Sequence, residues 1–264
     1  MNTENASYFC EAFFYFMKKT IEDLIEKDYQ LDLNLILLKT STIYKKVFLP
    51  SLVFYIGAFA ILFIAYFGVI LSQFDNLQTA SESIIALNPM TFSIEELAVY
   101  FSINALLSVL LILCNSAILH LSWQADQTEN YSLSSALKAI FSKEGLQIAL
   151  FCFVLQFTIS SISYLLQING LNSVGLIISL ILHTLTLLVI PLILIGKLNV
   201  IQAIKYSVQL VNTKPLRYLW YFIFIAILSI SGILFLGIGI LFTLPLLYIF
   251  IYALFSFILK QKTN

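Results

Sequence analysis

The chain has 264 residues, 60% of them hydrophobic and 11% charged, and its basic and acidic side chains balance to a formal net charge of zero. That apolar fraction excludes a soluble globular domain. The charges gather at the ends and in a few loops, so the net value identifies no partner, and no nucleic-acid partner is expected.

The first apolar patch, 8–17, has no basic region ahead of it and carries Glu11, so it is not a secretory signal and the N-terminus is expected to be retained. Residues 1–46 read as cytosolic or interfacial amphipathic helices. The first, about 7–27, sets Phe9, Phe13, Phe16, Met17, Ile21, Leu24 and Ile25 along one side and Glu11, Lys18, Glu22 and Glu26 away from it, which places it at the membrane interface. The second begins near Asp32 and runs into the membrane, with Lys45 and Lys46 at the boundary.

Residues 47–260 read as a six-span membrane domain. Span one, 47–72, contains no charge and exceeds the roughly 20 residues needed to cross a hydrocarbon core of about 30 Å. The following loop holds Asp75, Glu82, Glu95 and Glu96 but no lysine or arginine, and Ser93 with Glu96 forms a capping box that starts span two, 94–121, with Trp123 at interface depth. A second surface helix follows. Leu133, Leu137, Ile140 and Phe141 face one way on it, Ser135, Lys138 and Ser142 the other, and Gly145 is expected to stop it. The tight turn Asn169-Gly170-Leu171-Asn172-Ser173 then makes spans three (146–168) and four (174–195) an antiparallel hairpin.

Between Pro191 and Trp220 lies a third surface helix, capped by Asn199 and ended by Pro215. Val200, Ile201, Ile204, Val208 and Val211 are expected to face lipid, with Gln202, Lys205, Gln209 and Asn212 on the opposite side. From Leu219 to Leu259 no charge occurs, about 60 Å of helix and twice the membrane core, so the chain must fold back. Gly237-Ile238-Gly239 is the natural break between spans five (216–236) and six (240–259).

All fourteen basic residues fall in alternate connections or at the ends, so six spans with both termini cytosolic satisfy every one. Ser135-Ala136-Leu137-Lys138-Ala139-Ile140 is similar to Gln202-Ala203-Ile204-Lys205-Tyr206-Ser207, and Leu37-Leu38-Lys39-Thr40 is a fainter copy. The unit is surface helix, span, span, used three times, with chance similarity among apolar segments as the alternative.

No hydrolase, metalloprotease or nucleotide-binding motif occurs, and no carboxylate lies within a span beyond Glu95 and Glu96 in the first turn of span two, so neither catalytic residues nor a cofactor or metal site is expected. Cys10, Cys114 and Cys152 form no CxxC pair, the latter two reading as buried small side chains. His120 and His183 lie inside spans two and four, where ionisable groups are functional candidates, but His120 close to the cytosolic boundary can reach headgroups and His183 can hydrogen-bond a neighbouring helix while neutral, which is the stronger reading. Span three carries Cys152, Gln156, Ser160, Ser163 and Gln167 within about 80° of arc, and span two carries Asn104, Ser108 and Asn115 on one face. These polar stripes either glue helices together or line a cavity for a polar headgroup or small solute, the glue reading being the stronger from sequence. Lys138, Lys197, Lys205, Lys214 and Arg217 are the expected contacts to anionic headgroups at the cytosolic face.

The Ser134–Ile140 segment SSALKAI, the Pro191–Lys197 exit of span four, IQAIKYSVQLVNTKPLRYL and the LGIGILFTLPLLYIFIYALF ending together give a chain that resembles the YciC-like bacterial inner-membrane proteins and the related membrane domain attached to some glycerophosphodiester phosphodiesterases. The resemblance covers about 35–260 and implies a six-helix protein of the bacterial cytoplasmic membrane, with no catalytic residues to carry over. The expectation is an all-α, non-enzymatic polytopic protein that organises the membrane or maintains the envelope, with membrane lipids as its partners. The alternative is a carrier or channel for lipid or a small amphiphile.

Overall fold

The computed structural model describes residues 18–26, 29–73, 89, 92–128, 131–234 and 239–260. The aromatic stretch up to Met17, Asp75 and Glu82, and Gly237-Ile238 of the expected break lie outside these residues. Within them the elements are α1 (18–26), α2 (Leu33–Gln73), α3 (Ile94–Gln127), α4 (Leu133–Ile140), α5 (Lys143–Ile168), α6 (Asn172–Leu185), α7 (Val189–Leu194), α8 (Val200–Thr213), α9 (Pro215–Ile230), a 3-10 turn (Ser231–Leu234) and α10 (Ile240–Lys260). The described residues contain no strand, and six stretches are long and apolar enough to cross a membrane. Leucine, isoleucine and valine are exposed along the lengths of α2, α3, α5 and α6. Water does not tolerate apolar surface of that extent on a monomer, and a bilayer requires it. The chain is an all-α polytopic membrane protein.

Local chemistry sets the helix starts. Ser93 and Glu96 form the expected capping box, Ser132 caps α4, and the Asn199 side chain accepts the Gln202 N–H at 2.9 Å to start α8. Pro215 occupies the first turn of α9, where its missing N–H costs nothing. Gly145 has a different role from the one expected. α4 already ends at Ile140, Ser142 caps α5, and a Cβ on Gly145 would stand 1.8 Å from the Ile140 carbonyl oxygen. Glycine there lets α4 and α5 meet at a sharp corner.

α2 runs for 41 residues across the expected 46/47 boundary and through Pro50, carrying the faint Leu37–Thr40 copy of the repeat inside it. Pro50 has no N–H for the Lys46 carbonyl four residues back, and the Tyr131 hydroxyl donates to that oxygen instead, at 2.8 Å. The order surface helix, span, span is thus distinct in α4–α7 and α8–α10, while the corresponding first segment is fused to its span.

Span four is broken. α6 ends at Leu185 and α7 begins at Val189, since Pro191 cannot donate to the Leu187 carbonyl. The buried Ser207 of α8 joins the two pieces: its hydroxyl donates to the Leu185 carbonyl at 2.7 Å and accepts the Leu188 N–H at 3.2 Å. α7 packs against α3, α5, α8 and α10, and Leu188, Val189, Leu192 and Ile193 are wholly buried. The core is centred here, with Ala117–Leu119 of α3 and Ile249–Phe255 of α10 around it.

The end of the bundle that carries the basic residues is tied by polar contacts. Lys39 of α2 meets Asp126 of α3 at 2.8 Å and donates to Ser256 of α10 at 2.6 Å, while the Tyr252 hydroxyl donates to the same carboxylate at 2.7 Å. Lys46 reaches the Ala125 carbonyl in the last turn of α3 at 3.0 Å. The start of α2 and the end of α10 therefore lie on one side. At the far end α9 stops at Ile230, earlier than expected. Gly232 lies so close to Gly239 that a Cβ would come within 2.4 Å of its backbone, and Thr243 donates to the Ser229 carbonyl at 2.5 Å.

Two of the interfacial helices also pack against protein, and of the expected lipid face of α8 only Val211 is buried there. On α8 the buried stripe is Ala203, Tyr206, Ser207, Leu210 and Val211, about 100° round from the expected lipid face, and Ile201 is exposed. α8 is held by protein on α5, α6, α7 and α9 through this stripe of small, aromatic and aliphatic residues. α1 likewise buries Thr20, Ile21 and Leu24 in the protein. The Tyr206 hydroxyl donates to Glu22 at 2.9 Å, Tyr29 donates to the Leu210 carbonyl at 2.9 Å, and Tyr221 donates to the Leu31 carbonyl at 3.2 Å. Burial, then the bond to Glu22, pushes the Tyr206 phenol up to about 12, so it remains a donor at neutral pH.

Ser207 and Ser229 are both buried, but Ser229 donates only to the Ile225 carbonyl of its own helix, at 2.8 Å. Ser207→Ala is expected to lower stability by about 1–3 kcal/mol, since two backbone groups at the break lose their partner, and Ser229→Ala by less than about 1 kcal/mol. Unfolding of the full chain in mixed micelles checks the difference.

Candidate functional site

The polar stripe of α5 and that of the outer half of α3 face one another across a recess of about 250 Å³. Asn104 and Ser108 come from α3, and Gln156, Ser160, Ser163 and Gln167 from α5. Helical geometry explains the match: α5 repeats its polar residues every three to four positions, and the antiparallel packing of α3 brings residues 104 and 108 opposite 156–163. Pro89, ahead of α3, is part of the lining, so the recess lies at the start of α3, the end away from the lysines.

The walls are aromatic. Phe101 packs edge-on against Tyr164 and Phe157, at centroid distances of 5.7 Å and 6.2 Å, and Phe92 packs edge-on against Tyr100 at 5.8 Å. Phe101 thus bridges α3 and α5 through ring contacts beside the recess, and among the described residues the polar side chains make no bond across it. Asn104 donates to the Tyr100 carbonyl at 2.8 Å and Ser108 to the Asn104 carbonyl at 2.9 Å, both within α3. Among the described hydrogen bonds none joins the α3 stripe to the α5 stripe. The amides and hydroxyls of the recess are neutral, with spare donors and acceptors for a ligand's hydroxyl or amide groups.

The remaining sequence candidates lie elsewhere. Asn115 accepts a hydrogen bond from Tyr55 of α2, and Tyr248 of α10 also bonds to it, so this member of the α3 stripe is helix glue among three spans. His183 lies on α6; its Nδ1 is 2.8 Å from the Ser179 carbonyl, which assigns the proton to that nitrogen, and its ring stacks on Phe222 at 6.4 Å. His120 stands beside Trp123 at 5.4 Å, with a buried Nδ1 that has no hydrogen-bond partner. Cys152 is buried and Cys114 half-buried, both free thiols. Among the described residues no three His, Cys, Asp or Glu side chains converge as a metal site would require.

The basic candidates divide. Lys138, Lys205 and Arg217 are exposed. Lys197, whose backbone takes the left-handed φ of 54°, pairs with Glu144 at 3.0 Å, and Lys214 lies over the Tyr29 ring at 5.5 Å. Sequence reading missed Tyr164 and Phe101 as walls. The signal was present in Tyr164, which stands four residues after Ser160 and three before Gln167 on the same stripe.

The geometry separates two roles that sequence joined. Gln156→Leu is expected to change stability by no more than about 0.5 kcal/mol, because no hydrogen bond to another helix is lost, whereas Asn115→Leu, which strips a buried tyrosine of its acceptor, should cost about 1–3 kcal/mol. Equilibrium unfolding of both variants in detergent measures each.

Comparison of the chain with protein-family models, with curated proteins and with solved structures found no match.

Proposed function

We propose that the protein binds an amphiphile with an uncharged, hydroxyl-bearing headgroup within the membrane, and that it does so as a non-enzymatic binding or carrier protein. The observation that carries this reading is the convergence of Asn104, Gln156, Ser160 and Ser163 on one recess, with no hydrogen bond among the described residues joining the two stripes. Polar groups in a membrane domain are costly unless they are paired or solvated, and a recess lined by them has a use if a ligand supplies the partners. The aromatic walls suit the apolar junction of such a ligand. Neutral amides and hydroxyls offer hydrogen bonds but no acid or base near neutral pH, which favours binding over chemistry.

The reading also includes location. Lysines on the alternate connections support a bacterial cytoplasmic membrane with both termini in the cytosol, and the resemblance to YciC-like proteins points the same way. A role in membrane organisation is the second reading; it draws on the exposed Lys138, Lys205 and Arg217, which suit an anionic leaflet.

Mass spectrometry of the full chain extracted with its native lipid should find a neutral hydroxyl-rich amphiphile retained, and the double substitution Gln156→Leu with Ser160→Leu should reduce that retention by about tenfold or more. In proteoliposomes a monoacylglycerol probe should cross faster with the protein than without it. Retention without transfer supports the organising role, and no difference between variant and parent removes the recess as a ligand site.

Single cysteines at Ser134 and Asn169, placed in a chain whose native cysteines are replaced, should react with an impermeant maleimide from opposite sides, Ser134 from the cytosol. Reaction of both from one side would overturn the orientation.

A further inference from the structure

At the opposite end of α3 the corner between α4 and α5 stands over two apolar furrows. The first, of about 480 Å³, runs between α2 and α3 under α4, with Gly57, Ala58 and Leu110 below and Leu133 and Leu137 above. The second, of about 430 Å³, runs between α3 and α5 beside Leu146 and Ala149. They share one ridge, Leu113, Ile140 and Phe141. Phe141 is 85% exposed on that ridge, a position that a water-facing turn would not give to phenylalanine.

We propose that this corner holds one diacyl phospholipid with an anionic headgroup, drawn from the leaflet on which α4 lies, with an acyl chain in each furrow and the ridge between them. Three features converge on that occupant. Both furrows lie along spans, where acyl chains are the surrounding medium; the first is lined almost wholly by apolar side chains, and the second by apolar ones with Ser142 and Lys143 at the corner. There are two furrows on either side of a single ridge, which fits two chains on one headgroup. The charge at the ridge is positive: Lys138 and Lys143 are exposed, and the neighbouring Glu144 is engaged by Lys197 at 3.0 Å. The first furrow exists because residues 57 and 58 are small. A Cβ on Gly57 would meet nothing within 4 Å, so a larger side chain there fills the furrow without disturbing the fold.

The site is independent of the α3–α5 recess, and its test does not depend on that recess. The full chain is purified in detergent, given diacyl or lyso phosphatidylglycerol or diacyl phosphatidylcholine, and the lipid retained per chain is counted by native mass spectrometry. The parent should retain one diacyl phosphatidylglycerol, with about tenfold preference over phosphatidylcholine from two lysines near the headgroup. Gly57→Leu should reduce diacyl retention about fivefold or more while leaving the single-chain lyso lipid within about twofold, because the second furrow stays open. Lys138→Gln with Lys143→Gln should bring the two headgroups to parity. Unchanged diacyl retention in Gly57→Leu overturns the proposal, as does a parent that retains phosphatidylcholine equally or the lyso lipid as well as the diacyl one. Thermal unfolding of each variant confirms that a loss is not a failure to fold.

Discussion

Inside hydrocarbon every backbone N–H and C=O needs a partner within the protein, and simple helical pairing is interrupted in the spans at Pro50, Pro191 and Pro245. At Pro191 the fourth span breaks, and Ser207 supplies a donor and an acceptor to the loose ends. At Pro50 the helix continues, and Tyr131 supplies the missing donor. In both cases the partner comes from the polar connection that follows the span or its neighbour. α8 and the start of α4 are consequently part of the membrane domain's own hydrogen bonding, and their positions follow from it.

That dependence explains why the basic end is closely packed. α7, freed from the line of α6, enters the middle of the bundle and brings α3, α5, α8 and α10 around it. Lys39, Asp126, Tyr252 and Ser256 then join the outer elements α2, α3 and α10 in one partly buried cluster. A charge pair at such a site costs desolvation, and its gain is in specifying which helix ends meet. The N-terminal segment is added through tyrosines: Tyr29, Tyr206 and Tyr221 each put an apolar ring in the core and a hydroxyl on a distant acceptor.

The cavities divide by chemistry along α3. Towards the acidic connection the recess is neutral and polar, with Phe101 packed against Phe157 and Tyr164 beside it. Towards the lysines the furrows are apolar and carry positive charge at their rim. One helix therefore presents two environments of opposite character, suited to a headgroup at one end and to acyl chains at the other.

The class of the protein, its six spans, the capping residues Ser93 and Asn199 and the two polar stripes were all legible in the sequence, because each depends on composition or on periodicity along a single helix. Gly145 shows where such reading stops: it stands at a helix boundary, but its role depends on the Ile140 carbonyl it lies against. α8 shows the same limit. Its amphipathic pattern identified a helix with one face for lipid, while the second stripe, Ala203, Tyr206, Ser207 and Leu210, which packs on α6, α7 and α9, followed only from the groove those helices form. The stripes of α3 and α5 could be drawn from sequence, but whether Asn104 would bond across to Gln156 depended on how the two helices pack, while Asn115, about two turns further along α3 than Ser108, found Tyr55 within reach. Helical spacing specifies what one helix presents; the distance and angle to its neighbour, set by all the side chains between them, decide whether two polar faces become a bond or a cavity.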